Sequence, residues 1–125
     1  MSPNSGPSKG GYGEAIAEGY LRAKGCEILK SRYRCAYGEI DLIARDKDGI
    51  LAFVEVKLRK NWKTGEAAEA VTPGKRRRII LTALHYIAAY GNGDMTYRFD
   101  VIEVWGREFY NVRHIENAFC ADDIG

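Results

Sequence analysis

The sequence contains little cysteine, and its cysteines lie far apart. The 125 residues include three, Cys26, Cys35 and Cys120, and no C-x-x-C pair. An odd number of scattered cysteines argues against a disulfide framework and predicts free thiols in a reducing cytoplasm. His85 and His114 lack ligand spacing to any cysteine, which argues against a structural zinc site.

Long apolar runs are also missing. No stretch approaches the length that spans a bilayer, so no membrane partner is expected and the expected location is the cytoplasm. The opening residues MSPNSGPSKGG carry no apolar stretch and do not resemble a secretion signal. We expect residues 1–10 to form a flexible leader, 11–120 a single domain and 121–125 a frayed tail.

The most informative stretch runs from Gly38 to Arg59 and reads GEIDLIARDKDGILAFVEVKLR. Two apolar-rich runs flank a polar turn that contains Asp48-Gly49, a pattern that predicts a β-hairpin. The runs also carry charged residues, and burying a charge is costly unless it is paired or bound to a metal. These charged residues are Glu39, Asp41, Glu55 and Lys57.

The register of the hairpin decides where the charges lie. A five-residue loop, 46–50, sets Arg45 opposite Leu51, Asp41 opposite Glu55 and Glu39 opposite Lys57. It also makes one face wholly apolar, since side chains alternate along a strand. That face would consist of Ile40, Leu42, Ala44, Ala52, Val54 and Val56. A four-residue loop would put Asp41 and Glu55 on opposite faces, so we favour five residues; a bulge would give the same result.

Two opposed carboxylates in a partly buried site repel each other, so one takes up a proton or a cation lies between them. An oxygen-rich site of this kind suits Mg²⁺ or Mn²⁺. Lys57 points to the same side as Glu55 and can reach a water or an anionic oxygen. The pattern indicates metal-assisted phosphodiester hydrolysis. The alternative is a charged strip that faces solvent.

Asp41, Glu55 and Lys57 match the D…E-x-K signature of the restriction-endonuclease-like nuclease superfamily. The longer text resembles the YraN family of bacterial proteins, which is assigned to that superfamily, from about Gly13 to Phe119. The most specific matches are GEIDLIA at 38–44 and FVEVK at 53–57. The resemblance departs at Arg32, where Asn is usual, and at Leu58, where a small hydroxyl residue is usual.

The resemblance implies a nuclease with a catalytic set of Asp41, Glu55 and Lys57. Together with the register, it implies that Asp41, Glu55 and the backbone carbonyl of Val56 hold Mg²⁺ or Mn²⁺. Related nucleases place a glutamate on the first helix beside the metal, which makes Glu14 a further candidate ligand. Glu39 and Lys75 are auxiliary candidates.

Helices and further strands flank the hairpin. An apolar stripe predicts a helix from Tyr12 to about Lys24, and a second helix begins with Thr72 as N-cap and Pro73 and ends near Tyr90. Its predicted core face consists of Ile80, Ala83, Leu84, Ile87 and Ala88. Strands are predicted at 26–34, 96–104 and 109–115. This order predicts an α/β domain of the restriction-endonuclease-like type, with a central mixed sheet flanked by helices.

Basic residues near the site suggest a nucleic-acid partner, with DNA the first choice. The candidate contacts are Arg59, Lys60, Lys75, Arg76 and Arg78. Asp100 is a possible extra ligand, but a structural pair with Arg98 is favoured. Three functions stay open: a metal-dependent nuclease acting on branched or single-stranded DNA, a catalytically weak nucleic-acid-binding module, and a partner-binding domain. One site cuts one strand, so duplex cleavage would require a homodimer or two events.

Overall fold

A mixed five-stranded sheet lies between two helices in the computed structural model, which describes residues 9–59, 71–91, 95–106 and 108–121. The elements in chain order are α1 (Lys9–Ala23), β1 (Glu27–Cys35), β2 (Gly38–Arg45), β3 (Leu51–Leu58), α2 (Pro73–Tyr90), β4 (Tyr97–Gly106) and β5 (Tyr110–Phe119). The strands follow the order β1-β2-β3-β4-β5. Strands β3 and β4 run parallel, and the other neighbouring pairs run antiparallel. The α/β class is confirmed, and the arrangement is consistent with a restriction-endonuclease-like fold.

The β2–β3 hairpin has the predicted register. Arg45 pairs with Leu51 across a five-residue loop, and the ladder continues to Leu42 opposite Val54. The Asp46 carboxylate closes the loop by accepting the N–H groups of Asp48, at 2.8 Å, and Ile50, at 3.0 Å. Gly49 has a φ of +85°, a left-handed conformation that glycine adopts without steric cost. Local turn chemistry therefore fixes which residues share a face.

The two faces of the sheet are covered by different helices. Ala17 and Leu21 of α1 pack on Leu42, Ala44, Ala52 and Val54, while α2 packs on the face that carries Ile43 and Phe53. The predicted apolar face is correct except for Ile40, which is buried on the α2 side. The β2–β3 ladder ends at Leu42, so pairing with β3 no longer holds Ile40 in the alternation.

Helix α2 has the predicted ends but a different buried face. The Thr72 hydroxyl accepts the N–H of Lys75 as the N-cap, and Gly91 follows the last turn. Leu84 is 44% exposed and Ala88 is also exposed, so these two core predictions are wrong. Their places are taken by Ile79, Thr82 and Tyr86, which are buried with Ile80 and Ala83. Thr82 tolerates burial because its hydroxyl donates to the Arg78 carbonyl at 2.7 Å.

The ends of the chain differ modestly from expectation. Helix α1 begins at Lys9 rather than Tyr12, and β5 extends to Phe119. Most of the predicted leader and tail lies outside the described residues, as does Lys60. Within the described chain, no helix combines the length and apolar character that crossing a membrane requires.

Asp100 lies at the centre of a buried polar network at the far side of the sheet from the hairpin carboxylates. Its side chain is inaccessible and accepts from Arg98 Nε at 3.1 and 3.0 Å and from the Asn117 N–H at 3.1 Å. His114 Nε2 lies 2.8 Å from Asp100 Oδ2. Arg98 also reaches the hairpin loop through Asp46, at 2.8 Å. The favoured interpretation, a structural pair with Arg98, is confirmed.

This network predicts a large stability effect for Asp100→Asn. The amide removes the fully buried one of the carboxylates that pair with Arg98, so we expect a loss of about 3 kcal/mol in the free energy of unfolding, measured by urea denaturation. Asp48→Asn, on the exposed hairpin loop, is the matched control and should change stability by less than about 0.5 kcal/mol. A similar small effect for Asp100→Asn would contradict the structural role.

Candidate functional site

A cavity of about 300 Å³ opens where β2 and β3 separate beneath the first turns of α2. Its lining combines acidic side chains from α1, β2 and β3 with basic side chains from β3 and α2. The lining residues are Glu14, Gly38, Glu39, Asp41, Glu55, Val56, Lys57, Lys75, Arg78 and Ile79. The structure thus brings together all the residues predicted for catalysis and metal binding.

Asp41 is positioned by the end of the strand pairing. Beyond Leu42 opposite Val54 the two strands no longer form a ladder, and the Val56 N–H donates to Asp41 Oδ2 at 2.7 Å instead. Glu55, one residue earlier on β3, is 5% exposed and shares a hydrogen bond with Asp41. The carboxyl groups therefore lie on one side of the sheet and in contact.

Their protonation follows from this contact. Burial, and then the neighbouring charge of Glu55, raise the pKa of Asp41 to about 8. Burial also acts to raise the pKa of Glu55, but the Lys75 ammonium and the hydrogen bond with Asp41 outweigh it and hold that pKa below its usual value. At neutral pH the pair therefore shares one proton, carried by Asp41.

Two lysines contact the ionised member of the pair. Lys57 Nζ lies 3.2 Å from Glu55 Oε2, and Lys75 Nζ, from the first turn of α2, forms an ion pair with the same oxygen. Burial and the adjacent Lys75 lower the pKa of Lys57. The pKa of Lys75 is raised because its bond to Glu55 outweighs its partial burial. Sequence reasoning proposed Lys75 as an auxiliary residue and as a nucleic-acid contact and missed its direct contact with Glu55.

The other two acidic candidates are bound to arginines of β1. Glu14 accepts from Arg32 Nε at 2.8 Å, and Glu39 pairs with Arg34 rather than with Lys57. The predicted pairing of Glu39 opposite Lys57 is not formed, because the β2–β3 ladder ends before it. No sequence signal pointed to Arg32 as the partner of Glu14, since the contact joins α1 to an edge strand.

The predicted basic contacts divide into different environments. Arg59 donates to the buried carboxylate of Glu103 at 3.0 Å, and Arg76 donates to the Val71 carbonyl at 2.8 Å. Arg78 is exposed and lines the cavity. Lys60 lies outside the described residues. Arg78 and Lys75 are therefore the predicted contacts that face the cavity.

The donor set fits a hard divalent cation. Among the described residues, no three His, Cys, Asp or Glu side chains converge as a preformed metal cluster, and Glu14 is bound to Arg32. Mg²⁺, however, commonly uses one or two carboxylates and keeps waters or substrate phosphates as its other ligands. Asp41 and Glu55 supply such a pair, and the Val56 carbonyl stays a predicted third ligand.

Comparison with known proteins identifies the family. Residues 13–104 match the model described as "Uncharacterised protein family UPF0102". The chain belongs to this family. UPF0102 is the YraN family, so the family-level resemblance seen in the sequence is confirmed.

Relatives within UPF0102 align over nearly their whole length. A UPF0102 protein of Clostridioides difficile is 47% identical over 111 residues, covering 89% of this chain and 96% of the relative. A relative from Nitrosomonas europaea is 39% identical over 116 residues, covering 93% and 97%. One from Chlorobaculum parvum is 42% identical over 123 residues, covering 93% and 95%. The names of these relatives state no activity.

A solved structure of Pyrococcus furiosus SfsA in complex with Ca²⁺ was also compared. It covers 85% of this chain and 61% of its own, with 9% identity and a TM-score of 0.30. A likeness at this level carries no argument about this protein.

The shared proton predicts how stability depends on pH. The unfolded chain releases the Asp41 proton near pH 4, but the metal-free folded protein keeps it to about pH 8. Within this interval the carboxyl is ionised in the unfolded chain but still protonated in the folded protein, so raising the pH favours unfolding and lowers the free energy of unfolding. Asp41→Asn can keep both hydrogen bonds without titrating. Its stability relative to wild type should therefore rise with pH, by about 2 kcal/mol or more at pH 9.

The measurement is urea denaturation in EDTA from pH 5 to pH 9, with Asp48→Asn as the control on the hairpin loop. The difference between Asp48→Asn and wild type should stay flat across the range. If the difference in the free energy of unfolding between Asp41→Asn and wild type also stays constant with pH, the Asp41 carboxyl titrates normally.

Proposed function

We propose that this chain is a divalent-metal-dependent nuclease that hydrolyses phosphodiester bonds in DNA, with branched or single-stranded DNA as the candidate substrates. The observation that carries the proposal is the contact between Asp41 and Glu55 at a cavity that also holds Lys57. Two buried carboxyl groups kept in contact so that only one can ionise, with an ammonium beside them, are costly as a purely structural device. The resemblance of this D…E-x-K set to nuclease sites supports the same function.

The carboxylates and the lysine have separate tasks in this proposal. Asp41, Glu55 and the Val56 carbonyl would hold Mg²⁺ or Mn²⁺, which supplies water activation and stabilises charge on phosphate oxygens. The Val56 N–H fixes the orientation of Asp41. Lys57 lies 3.2 Å from Glu55 and has a pKa that burial lowers, so its amino group can orient a water or stabilise developing negative charge.

Substrate binding is assigned to the basic side of the cavity. Arg78 is exposed and lies one turn after Lys75 on α2, so the two side chains lie on the same side of the helix. A guanidinium beside an ammonium suits the non-bridging oxygens of a phosphodiester. The contacts involve phosphates and no base edges, so binding should be insensitive to sequence.

A nucleic-acid-binding module without appreciable cleavage is the alternative. The observation that favours it is the neutralisation of the acidic groups: Glu55 by two lysines, Glu14 by Arg32 and Glu39 by Arg34. A cavity whose carboxylates already have cationic partners can bind phosphate through the remaining basic groups alone. Assays of cleavage and of binding separate the two functions.

Lys57→Ala tests the catalytic assignment. The lysine is proposed to act mainly in the transition state, so turnover with Mn²⁺ should fall by about 100-fold or more while the Kd for DNA changes little. The assay uses labelled linear, single-stranded, flapped and four-way DNA. Lys57→Arg should not restore activity, because a planar guanidinium does not reproduce a compact ammonium.

The matched control is Lys47→Ala, which removes the same charge from the exposed hairpin loop at the opposite end of β2 and β3. If the wild-type protein cuts none of the DNA substrates faster than Lys57→Ala does, the nuclease proposal is wrong. Equal traces in both proteins would indicate a contaminating nuclease, and the binding-module alternative would then lead.

Arg78→Ala tests the phosphate contact independently of cleavage. Loss of one contact should weaken binding to all DNA sequences alike and flatten the slope of log K against log salt by about one unit. Fluorescence anisotropy with a labelled oligonucleotide in EDTA measures the slope, and Lys47→Ala should leave it unchanged. An unaltered slope in Arg78→Ala would mean that this arginine is a solvated charge.

A further inference from the structure

Lys75 and Lys57 both contact the same carboxylate oxygen of Glu55. Two ammonium groups therefore lie against a single buried carboxylate oxygen. One ammonium therefore exceeds what the carboxylate needs. Because Glu55 is almost completely buried, this excess is poorly screened by solvent.

We propose that Lys75 is an exchangeable counter-ion, which neutralises Glu55 in the metal-free protein and moves to a substrate phosphate when a divalent cation takes its place. This inference rests on the proposed function, because it assumes that Glu55 is a metal ligand and that phosphate binds beside it. It adds that metal and phosphate bind cooperatively, with Lys75 as the link.

Geometry selects Lys75 rather than Lys57 as the group that moves. The Lys75 side chain is 36% exposed and that of Lys57 is 21% exposed. Lys57 is also on the same strand as Glu55, two residues further, so its stem already runs beside the carboxylate. Lys75 reaches Glu55 from another element, with its backbone fixed by the Thr72 cap. Its flexible stem can therefore swing without disturbing the helix.

Charge gives the direction of the exchange. A divalent cation and an ammonium on the same carboxylate oxygen repel each other, so Lys75 loses its partner once the cation binds. The cavity then gains positive charge and attracts an anion more strongly than before. Arg78, one turn along α2, lies on the same cavity and supplies a second contact for that anion. Coupling of this kind is reciprocal, so phosphate must also tighten metal binding.

The first measurement is the Kd for Mn²⁺ with and without a (dT)10 oligonucleotide. The free ion is quantified by electron paramagnetic resonance. Binding of Mn²⁺ by the oligonucleotide alone is subtracted, and its intactness is checked by mass spectrometry. In wild type, (dT)10 should tighten Mn²⁺ binding by about five-fold or more. In Lys75→Ala, the factor should fall to about two-fold or less. Arg77→Ala removes an exposed charge from the same turn and should behave like wild type.

The second measurement follows Lys75 itself. Acylation of its amine by an activated ester, read by mass spectrometry, should speed up when Mn²⁺ is added to the wild-type protein without DNA, because the amine leaves Glu55 for the open cavity. Lys47, on the exposed hairpin loop, provides the internal reference. An unchanged Lys75 rate would show that the ion pair persists with metal bound.

The results separate this inference from the proposed nuclease function. Equal coupling factors in wild type and Lys75→Ala would overturn the exchange even if wild type cuts DNA. If (dT)10 tightens Mn²⁺ binding in wild type but not in Lys75→Ala, and if Mn²⁺ speeds the acylation of Lys75 in wild type, the counter-ion exchange would be supported even if no cleavage is found. Lys75→Gln, which keeps a polar side chain of similar length, repeats the test if the alanine variant folds poorly.

Discussion

The contact between Asp41 and Glu55 is the constraint on which the rest of the site depends. It exists because β2 and β3 stop pairing after Leu42 and Val54. The Val56 N–H, which a continued ladder would pair with backbone, instead donates to Asp41. This hydrogen bond therefore gives the Val56 N–H an acceptor and fixes the orientation of the Asp41 carboxyl. It forms where β2 and β3 separate. The cavity is a consequence of how the hairpin ends.

The surrounding charges follow from the cost of that contact. Two carboxyl groups cannot both ionise in a poorly hydrated site, so Asp41 keeps a proton and Glu55 gathers two ammonium groups. Lys57 comes from β3 itself and Lys75 from α2, while β1 supplies the arginines that pair with Glu14 and Glu39. Tertiary packing of the flanking elements is thus coupled to the electrostatics of the site. A change that displaces α2 would also remove the Lys75 ion pair from Glu55.

Much of this arrangement was predictable from local sequence. The Asp-Gly turn and the alternation of apolar residues determine the hairpin register, and Thr72-Pro73 determines the start of α2. Both signals depend on a few adjacent residues with well-defined backbone preferences. The register then brings Asp41 and Glu55 to one side without further information.

What sequence reasoning missed depends on contacts between distant elements. The rotation of α2 follows from Tyr86 packing on the rings of Tyr33 and Phe53, so Leu84 is left exposed although its own pattern fits a core. Ile40 changes face because a ladder ends, and a ladder end has no residue signature. The partnership of Lys75 with Glu55 likewise depends on where α2 lies on the sheet. In each case the deciding quantity is a three-dimensional distance, which periodicity does not encode.

At Arg32, a contact between distant elements depends on an unusual backbone conformation. Its φ is +54°, a left-handed conformation that costs most residues energy and that Asn tolerates better. The resemblance to the YraN family makes Asn the usual residue here, and the backbone geometry supplies the physical reason. Arginine at this position accepts that cost and gains a bond of 2.8 Å to Glu14. The position of Glu14, which lines the cavity together with Asp41 and Glu55, is therefore coupled in this chain to an arginine on an edge strand.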